Sequence, residues 1–495
     1  MHQSGIGSQI CRASGSVQEV MPDILRSAMT THELSSTVLP PAPSHNTRPP
    51  PASVPRFEGK MHARMSWLAM GFALFALMSL GHVTAIGFSK WSEQHDQDGH
   101  VEYCQFIAKN HALPHPRAGW TSYHPPLFYL FTQPFRPLQA GRDTFIRNVR
   151  WANAFLFGSL FLLCMLGVAR ALRLRKMATF LVVGFLITIP SVVQLFAGFN
   201  NDPMATALIS LTALAALKFY QANRRRAAVT WGILVVVAGI LALYAKFTSL
   251  FALLALGMFI AIGLVTRRLN TRALWLVGMS SLCFLALVPY LFLHNFRNTG
   301  NFFPHNVEKP TSMAFSSLDL HGGRLRFLLT PPLLTDHEWD TPYTTGDGQG
   351  DLWWAKHNML ASAFATSLYG EWDFNHRGRP QGVFLLPKNT WGWLGVWAHL
   401  LFLHLALAFR SATARPALLL AGLIFCTHVA HVMGVMPFCN AANFRYYAWI
   451  LLPVAVAAIA GLQRNANRGV LAKIAGIAIL GLGTLTHLGF VLSAL

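Results

Sequence analysis

The chain has little charge and few cysteines for its length. Of its 495 residues, 12% are charged and 53% are hydrophobic, a balance too apolar for an ordinary soluble enzyme. The six cysteines are scattered rather than paired at metal-ligand spacing, and they are too few for a disulfide scaffold. Walker, Rossmann and zinc-binding patterns are lacking as well. These absences exclude a soluble cytosolic enzyme, a small secreted domain and a disordered chain.

Uncharged apolar runs of about 20 residues take up most of the chain, and this is the length that an α-helix needs to cross a hydrocarbon core of about 30 Å. Eleven such runs predict an all-α polytopic membrane protein. The predicted spans are 67–88, 149–169, 178–197, 203–220, 227–243, 249–266, 273–293, 391–409, 416–435, 447–462 and 474–493.

Charges of opposite sign occupy alternate loops, within a formal net charge of +20. Every acidic residue after Glu58 falls in one set of loops, and the other set is basic: 170–176, 224–226, 267–272, 410–415 and 464–473. Because short loops rich in Lys and Arg stay in the cytoplasm, we expect the N-terminus inside and the C-terminus outside. The positive charge then faces anionic lipid headgroups rather than nucleic acid.

The chain divides into a tail and a membrane domain. Residues 1–60 are rich in Ser, Thr and Pro, which predicts a disordered cytoplasmic tail. Residues 61–495 form the membrane domain, with two long outer loops at 89–148 and 294–390. Loops of this length are uncommon unless they are functional. We expect the second loop to pack over the membrane domain as a lid.

The first outer loop is the densest polar cluster of the sequence. Within eleven residues it holds Glu93, His95, Asp96, Asp98, His100, Glu102 and Tyr103. A carboxylate at the membrane surface can act as a general base or coordinate a divalent cation that bridges phosphates. The alternative interpretation is an ordinary solvated loop.

The pattern Asp96-x-x-Gly99-His100-x-x-Tyr103, followed by Gly-Trp at 119–120 and YHPPLFY at 123–129, resembles the first outer loop of GT-C glycosyltransferases. The most similar group is the family-39-like enzymes, which include the protein O-mannosyltransferases and the lipid A aminoarabinose transferase. The resemblance implies a GT-C fold. It also implies that His100, Tyr103 and His124 bind substrate.

In that family the acidic residue just after the first transmembrane helix is the proposed catalytic base. It activates the acceptor for attack on the anomeric carbon of a polyprenyl-phosphate sugar. The resemblance suggests Asp96 for this role. Many relatives carry Asp-Glu where this chain has Asp96-Gln97, so Asp98 is the competing candidate.

Three further segments resemble the same family. Asn201 and Asp202 lie on the turn between spans three and four; Asp202 followed by Pro203 also fits a helix N-cap. Lys246, on the turn between spans five and six, could bind a lipid phosphate or simply snorkel to the interface. Arg445, entering span ten, suits bidentate phosphate recognition.

Arg297, at the end of span seven, leaves two interpretations open. It either contacts the donor phosphate or anchors the end of the span. His428 and His431 are spaced for metal binding within span nine, but they lack a third ligand, so no metal site is assigned. A divalent cation as cofactor stays undecided, because members of the family differ in their need for one.

The sequence thus predicts a glycosyltransferase that moves a hexosyl or pentosyl group from a polyprenyl-phosphate carrier to an extracytoplasmic lipid, glycan or protein, with inversion. The alternatives are a ligase or polymerase of lipid-linked oligosaccharides and a polytopic transporter or flippase. The expected partners are the carrier-linked sugar, the acceptor and membrane lipids. The expected location is a bacterial inner membrane with the site facing the periplasm, since no N-x-Ser/Thr sequon occurs.

Overall fold

A computed structural model describes most of the membrane domain. The described residues are 66–88, 96–119, 121–136, 141–266, 275, 278, 280, 289–302, 322–329, 359–370, 386, 388–407, 411–434, 442–466 and 469–493. The expected tail 1–60, most of span 273–293 and most of the loop 294–390 lie outside them.

Helices connected by turns and loops make up this part of the chain, with no β-strand in it. The all-α architecture predicted from the apolar runs is therefore confirmed. The helices are α1 Trp67–Phe88, α2 Gln97–Asn110, α3 Leu127–Thr132, α4 Arg142–Ala152, α5 Ser159–Ala171, α6 Lys176–Thr188, α7 Pro190–Ala197, α8 Asp202–Gln221, α9 Arg225–Ala245, α10 Ser249–Val265, α11 Pro289–Thr299, α12 Arg324–Leu329, α13 Met359–Tyr369, α14 Lys388–Ala406, α15 Ala414–Gly434, α16 Leu451–Ala466 and α17 Val470–Ser493.

Several of these helices are long and apolar enough to cross a membrane. Within the described ranges there are seven such spans, or eight if the bent pair α6 and α7 counts as one. The chain is thus an integral multi-pass membrane protein. The predicted span 249–266 is present as the shorter apolar helix α10, and 273–293 falls largely outside the described residues. The count of eleven spans stays a prediction.

The predicted span 178–197 is broken rather than continuous. Helix α6 ends at Thr188, and α7 begins at Pro190 with a bend of 66°. A proline lacks the backbone N–H of the helical ladder and its ring clashes with the preceding turn, so it ends one helix and begins another. The residues on both sides of the break are all buried. The sequence is therefore apolar throughout this region, and its hydropathy does not reveal the break.

The second span contains a different irregularity. Helices α4 and α5 are joined through a π-helical segment, Asn153–Gly158, so that residues 142–171 form one span. A π segment inserts an extra residue into a helical turn and is frequent at functional sites.

Four of the candidate residues lie at one end of the helix bundle. Asp96 follows α1, Asp202 begins α8, Lys246 follows α9, and Arg445 precedes α16. Helices α8 and α9 are antiparallel neighbours, which brings the start of one beside the end of the other. The basic residues that begin α6 and α9 lie at the opposite end.

A short helix, α2, lies near the start of the first outer loop. Helix α2 buries one face, which includes His100, Tyr103, Cys104 and Ile107, and exposes the other. Beyond it, Arg117 donates a hydrogen bond to the carbonyl of Thr299 at the end of α11. The loop is therefore packed against the start of the second outer loop.

Candidate functional site

Asp96 and Arg445 form the first of two buried ion pairs that the described residues contain at this end of the bundle. The Arg445 Nη2 lies 2.9 Å from the Asp96 Oδ2, and both side chains are largely buried, with 9% and 15% exposed. Asp96 has a left-handed backbone, with φ of 60°, a conformation that Asp tolerates better than most residues. This turn precedes α2 and presents the carboxylate to Arg445.

Asp202 and Lys246 form the second ion pair. Lys246 Nζ donates a hydrogen bond to Asp202 Oδ1, and the two side chains are 4% and 2% exposed. The pKa of Lys246 is lowered, because burial opposes its charge more than Asp202 supports it and because Arg445 repels it. Lys246 therefore does not extend to the interface as a snorkelling lysine would.

Tyr446 connects the two ion pairs. Its ring centroid lies 4.3 Å from the Lys246 Nζ and 5.0 Å from the Arg445 Cζ, within the range of cation–π interaction. Its hydroxyl accepts a hydrogen bond of 3.0 Å from Arg445. Burial raises the pKa of Tyr446 to about 12, so the phenol stays neutral.

The turn that carries Asp202 is fixed by its asparagines. The Asn201 side chain donates to the carbonyl of Ala245 at the end of α9, over 2.9 Å. The Asn200 Oδ1 accepts from the backbone N–H of Asp202, over 3.0 Å. The simpler interpretation of Asp202 was a helix N-cap, but its side chain makes no capping hydrogen bond. Its carboxylate faces Lys246 instead.

An aromatic layer lies beside the ion pairs. His100 Nδ1 is 2.8 Å from the Tyr129 hydroxyl, and the Tyr103 ring stacks on that of Tyr129 with centroids 3.7 Å apart. His124 stacks on His100, with centroids 5.5 Å apart. Burial, the proximity of His100 and the positive charge of Lys246 hold the pKa of His124 well below its usual value.

Tyr123 belongs to the same region. Burial raises its pKa well above the usual value, with further contributions from Tyr446, Asp96 and Asp202 that are offset by Arg445. His124 lies close to both ion pairs, and His100 and Tyr103 pack in the same aromatic layer. Substrate binding by these three residues stays a prediction.

Two of the predicted site residues are not part of this cluster. Asp98 points away from it and pairs with Arg142 at 2.6 Å, with 65% of its side chain exposed. Arg297 is exposed on α11, and it makes no ion pair or hydrogen bond with the cluster among the described residues. Of the two carboxylates considered as catalytic base, Asp96 alone contacts the cluster.

Some residues of the cluster were not singled out in the sequence. Tyr446 follows Arg445 directly, and Tyr123 and Tyr129 are the first and last residues of YHPPLFY; no role was predicted for any of the three. The sequence feature that could have identified these tyrosines is their position within the segments that resemble the GT-C family. Tyrosines are common at membrane interfaces for other reasons, so nothing local distinguishes these three.

Helix α13, from the second outer loop, packs against the segment that carries Arg445. Its Thr366 side chain accepts a hydrogen bond of 2.9 Å from the backbone N–H of Phe444. Its Ala363 carbonyl accepts one of 3.1 Å from the Tyr447 hydroxyl. This part of the loop thus helps to hold Arg445 in place. Most of the rest of the expected lid lies outside the described residues.

An apolar cavity of about 590 Å³ borders the same segment. Phe444 and Tyr447, on either side of Arg445 and Tyr446, both line it. Helices α13, α14, α15 and α16 contribute most of the remaining lining, which includes Leu360, Phe364, Leu400, Leu403, Phe425 and Val454. The two residues that flank Arg445 and Tyr446 thus border an apolar space.

No metal site is found in the part of the chain that the structure describes, where no group of three or more His, Cys, Asp or Glu residues is close enough to hold an ion. The chemistry available here consists of two carboxylates, two cations, two histidines and several tyrosines.

Residues 140–304 match the family model of dolichyl-phosphate-mannose-protein mannosyltransferase. Over this third of the chain, the resemblance to that family of glycosyltransferases is confirmed. No curated protein sequence matches the chain with significance.

Among solved structures, the chain is similar to that of ArnT from Cupriavidus metallidurans bound to undecaprenyl phosphate. The two are 16% identical, and the match covers 82% of this chain and 79% of that one, with a TM-score of 0.36.

Proposed function

We propose that this protein is a membrane glycosyltransferase that moves a sugar from a polyprenyl-phosphate carrier to an extracytoplasmic acceptor, with inversion at the anomeric carbon. The observation that carries the proposal is the buried Asp96–Arg445 ion pair. It places a carboxylate and a phosphate-binding cation at the same point. The family match over residues 140–304 supports the reaction class.

Asp96 is the general base of the proposed reaction. A hydroxyl or amine of the acceptor attacks the anomeric carbon and gives its proton to the Asp96 carboxylate. The bond between that carbon and the phosphate oxygen breaks, and polyprenyl phosphate leaves with the electron pair. A single displacement of this kind inverts the anomeric centre and needs no covalent intermediate.

Arg445 and Lys246 stabilise the leaving phosphate. Charge accumulates on the phosphate oxygens as the bond breaks, and cations that are already oriented in a buried site stabilise it strongly. Arg445 has a guanidinium suited to bidentate contact with phosphate. When the phosphate binds, it competes with Asp96 for Arg445, which leaves the carboxylate available to accept a proton.

The apolar cavity is the proposed site of the part of the carrier tail nearest the phosphate. It is bordered by Phe444 and Tyr447, the residues that flank Arg445 and Tyr446 in the sequence. A lipid phosphate bound at Arg445 would extend its first isoprene units into this space. The tail already lies in hydrocarbon before it binds, so the gain there comes from packing against the lining side chains.

Release of free polyprenyl phosphate tests the proposal. The protein in nanodiscs is incubated with a panel of polyprenyl-phosphate monosaccharides and a cell-envelope extract as acceptor. We expect release with the wild type, and release slowed roughly a hundredfold or more in Asp96→Asn, since a general base contributes about 10²–10⁴. Asp98→Asn is the matched control, because it removes a carboxylate that faces Arg142, and it should retain activity.

The opposite outcomes are informative. Equal rates for Asp96→Asn and the wild type would show that Asp96 is not the base. If the folded wild type consumes no monosaccharide carrier, the proposed donor is wrong. Lipid-linked oligosaccharides and a labelled-lipid translocation assay would then test the two alternatives.

A further inference from the structure

We infer that Arg150 and Asn153 are positioning residues that hold the two backbone segments leading to Asp96 and Asp202. Neither residue belongs to the cluster, and neither stands out in the sequence. The catalytic consequence of this inference rests on the proposed function. The structural consequence can be measured without it.

Arg150 binds the C-terminal ends of two helices. Its Nε donates to the carbonyl of Ala197, the last residue of α7, over 2.7 Å. Its Nη2 donates to the carbonyl of Ala85, in the last turn of α1, over 2.9 Å. The carbonyls at a helix C-terminus carry partial negative charge. One buried guanidinium therefore stabilises both helix ends and fixes their separation.

Asn153 holds the turn that follows α7. Its side-chain amide donates to the carbonyl of Gly198 over 2.7 Å and to that of Asn200 over 3.3 Å. Asn153 is also the first residue of the π-helical segment. Three of the four carbonyls, those of Ala197, Gly198 and Asn200, lie within five residues before Asp202. The fourth, that of Ala85, lies in the last turn of α1, eleven residues before Asp96.

Arg150 and Asn153 thus hold the end of α1 at a fixed distance from the end of α7 and the turn after it. Helix α1 leads into the loop that carries Asp96, and α7 leads into the turn that carries Asp202. Arg150 is 3% exposed and Asn153 is fully buried. Removing either side chain takes away the hydrogen bonds that it donates to these carbonyls, and the loss of a hydrogen bond to a buried polar group is unfavourable.

Hydrogen exchange measured by mass spectrometry on the full chain in nanodiscs tests the inference directly. We compare wild type, Arg150→Met and Asn153→Ala with Arg147→Met, which removes an exposed arginine on the same helix. In both test variants we expect exchange about tenfold faster in the segments containing Asp96 and Asp202, because local opening becomes easier. Exchange in α16 should be unchanged, and Arg147→Met should match the wild type throughout.

Kinetics provide the second readout. We expect kcat to fall about tenfold or more, because a small displacement of the base misaligns the reacting groups, while the KM for the carrier changes less. Arg445 is on another segment and still binds the phosphate. Arg150→Lys can reach only one of the two carbonyls and should give an intermediate kcat.

Exchange equal to the wild type in both segments, or faster evenly along the chain, would overturn the inference. If Arg150→Met does not fold, Arg150→Lys and Asn153→Ala give the same comparison. A wild type that transfers no sugar would refute the proposed function but leave the exchange result to decide this inference.

Discussion

Asp96 and Arg445 are 349 residues apart in the sequence and form an ion pair of 2.9 Å. The pair joins the first outer loop to the segment before α16. Tyr446 and the Asp202–Lys246 pair lie against it, so four charged side chains from four chain segments share one buried region. The predictions below separate the roles of these residues.

Replacement of Arg445 by lysine should weaken carrier binding although the charge is kept. A lysine presents a single ammonium in place of the planar fork that contacts two phosphate oxygens. We expect the Kd for polyprenyl phosphate in nanodiscs to rise about tenfold or more, since charge-assisted bidentate contacts are among the stronger hydrogen bonds. Arg297→Lys is the control. A larger effect there than at Arg445 would assign phosphate binding to Arg297.

Removal of one partner of the Asp202–Lys246 pair should destabilise the fold. Both side chains are almost fully buried, and an unpaired buried charge costs about 3–5 kcal/mol. Lys246→Met should therefore lower the unfolding midpoint in detergent markedly, and adding Asp202→Asn should restore part of the loss. Asp98→Asn breaks an exposed pair, which is worth about 1 kcal/mol or less. Equal losses at Asp98 and Lys246 would contradict the buried pairing.

His124 should make the protein less stable in mild acid. Its folded-state pKa lies well below the ordinary value near 6.5, so as the pH falls the unfolded chain takes up the proton first. The free energy of unfolding therefore decreases below about pH 6.5, with a limiting slope of about 1.4 kcal/mol per pH unit for such a group.

Unfolding midpoints measured between pH 7.5 and 5.5 test this prediction. His124→Gln removes one titrating group and should reduce the slope by up to that amount. His111→Gln replaces an exposed histidine and should leave the slope as in the wild type. A slope that is unaffected by His124→Gln would show that other groups cause the acid sensitivity.

A bulkier side chain in the apolar cavity should weaken use of the carrier. Leu400 lines the cavity, whereas its neighbour Leu401 is exposed. We expect Leu400→Trp to raise the KM several-fold for a long polyprenyl-phosphate sugar and for a two-isoprene analogue alike, because the indole fills space proposed for the first isoprene units. Leu401→Trp should change neither. An unchanged KM in Leu400→Trp would place the tail elsewhere.

The sequence indicated much of the candidate site but not its pairings. The resemblance selected Asp96, Asp202, Lys246 and Arg445, and all four lie together. It could not choose between Asp96 and Asp98. Successive helical residues are turned by about 100°, so Asp98 in the first turn of α2 faces Arg142 while Asp96, just before the helix, faces Arg445. That choice depends on where the helix begins.

The sequence by itself determined the membrane character, the helical class and the location of charge, because each follows from local composition and spacing. Long uncharged runs have one stable form in a bilayer, in which a helix satisfies its own hydrogen bonds. The tertiary structure decided the partners of Arg445 and Arg150. These depend on contacts between distant segments, and a local pattern carries no information about which distant carboxylate or carbonyl a buried cation will meet.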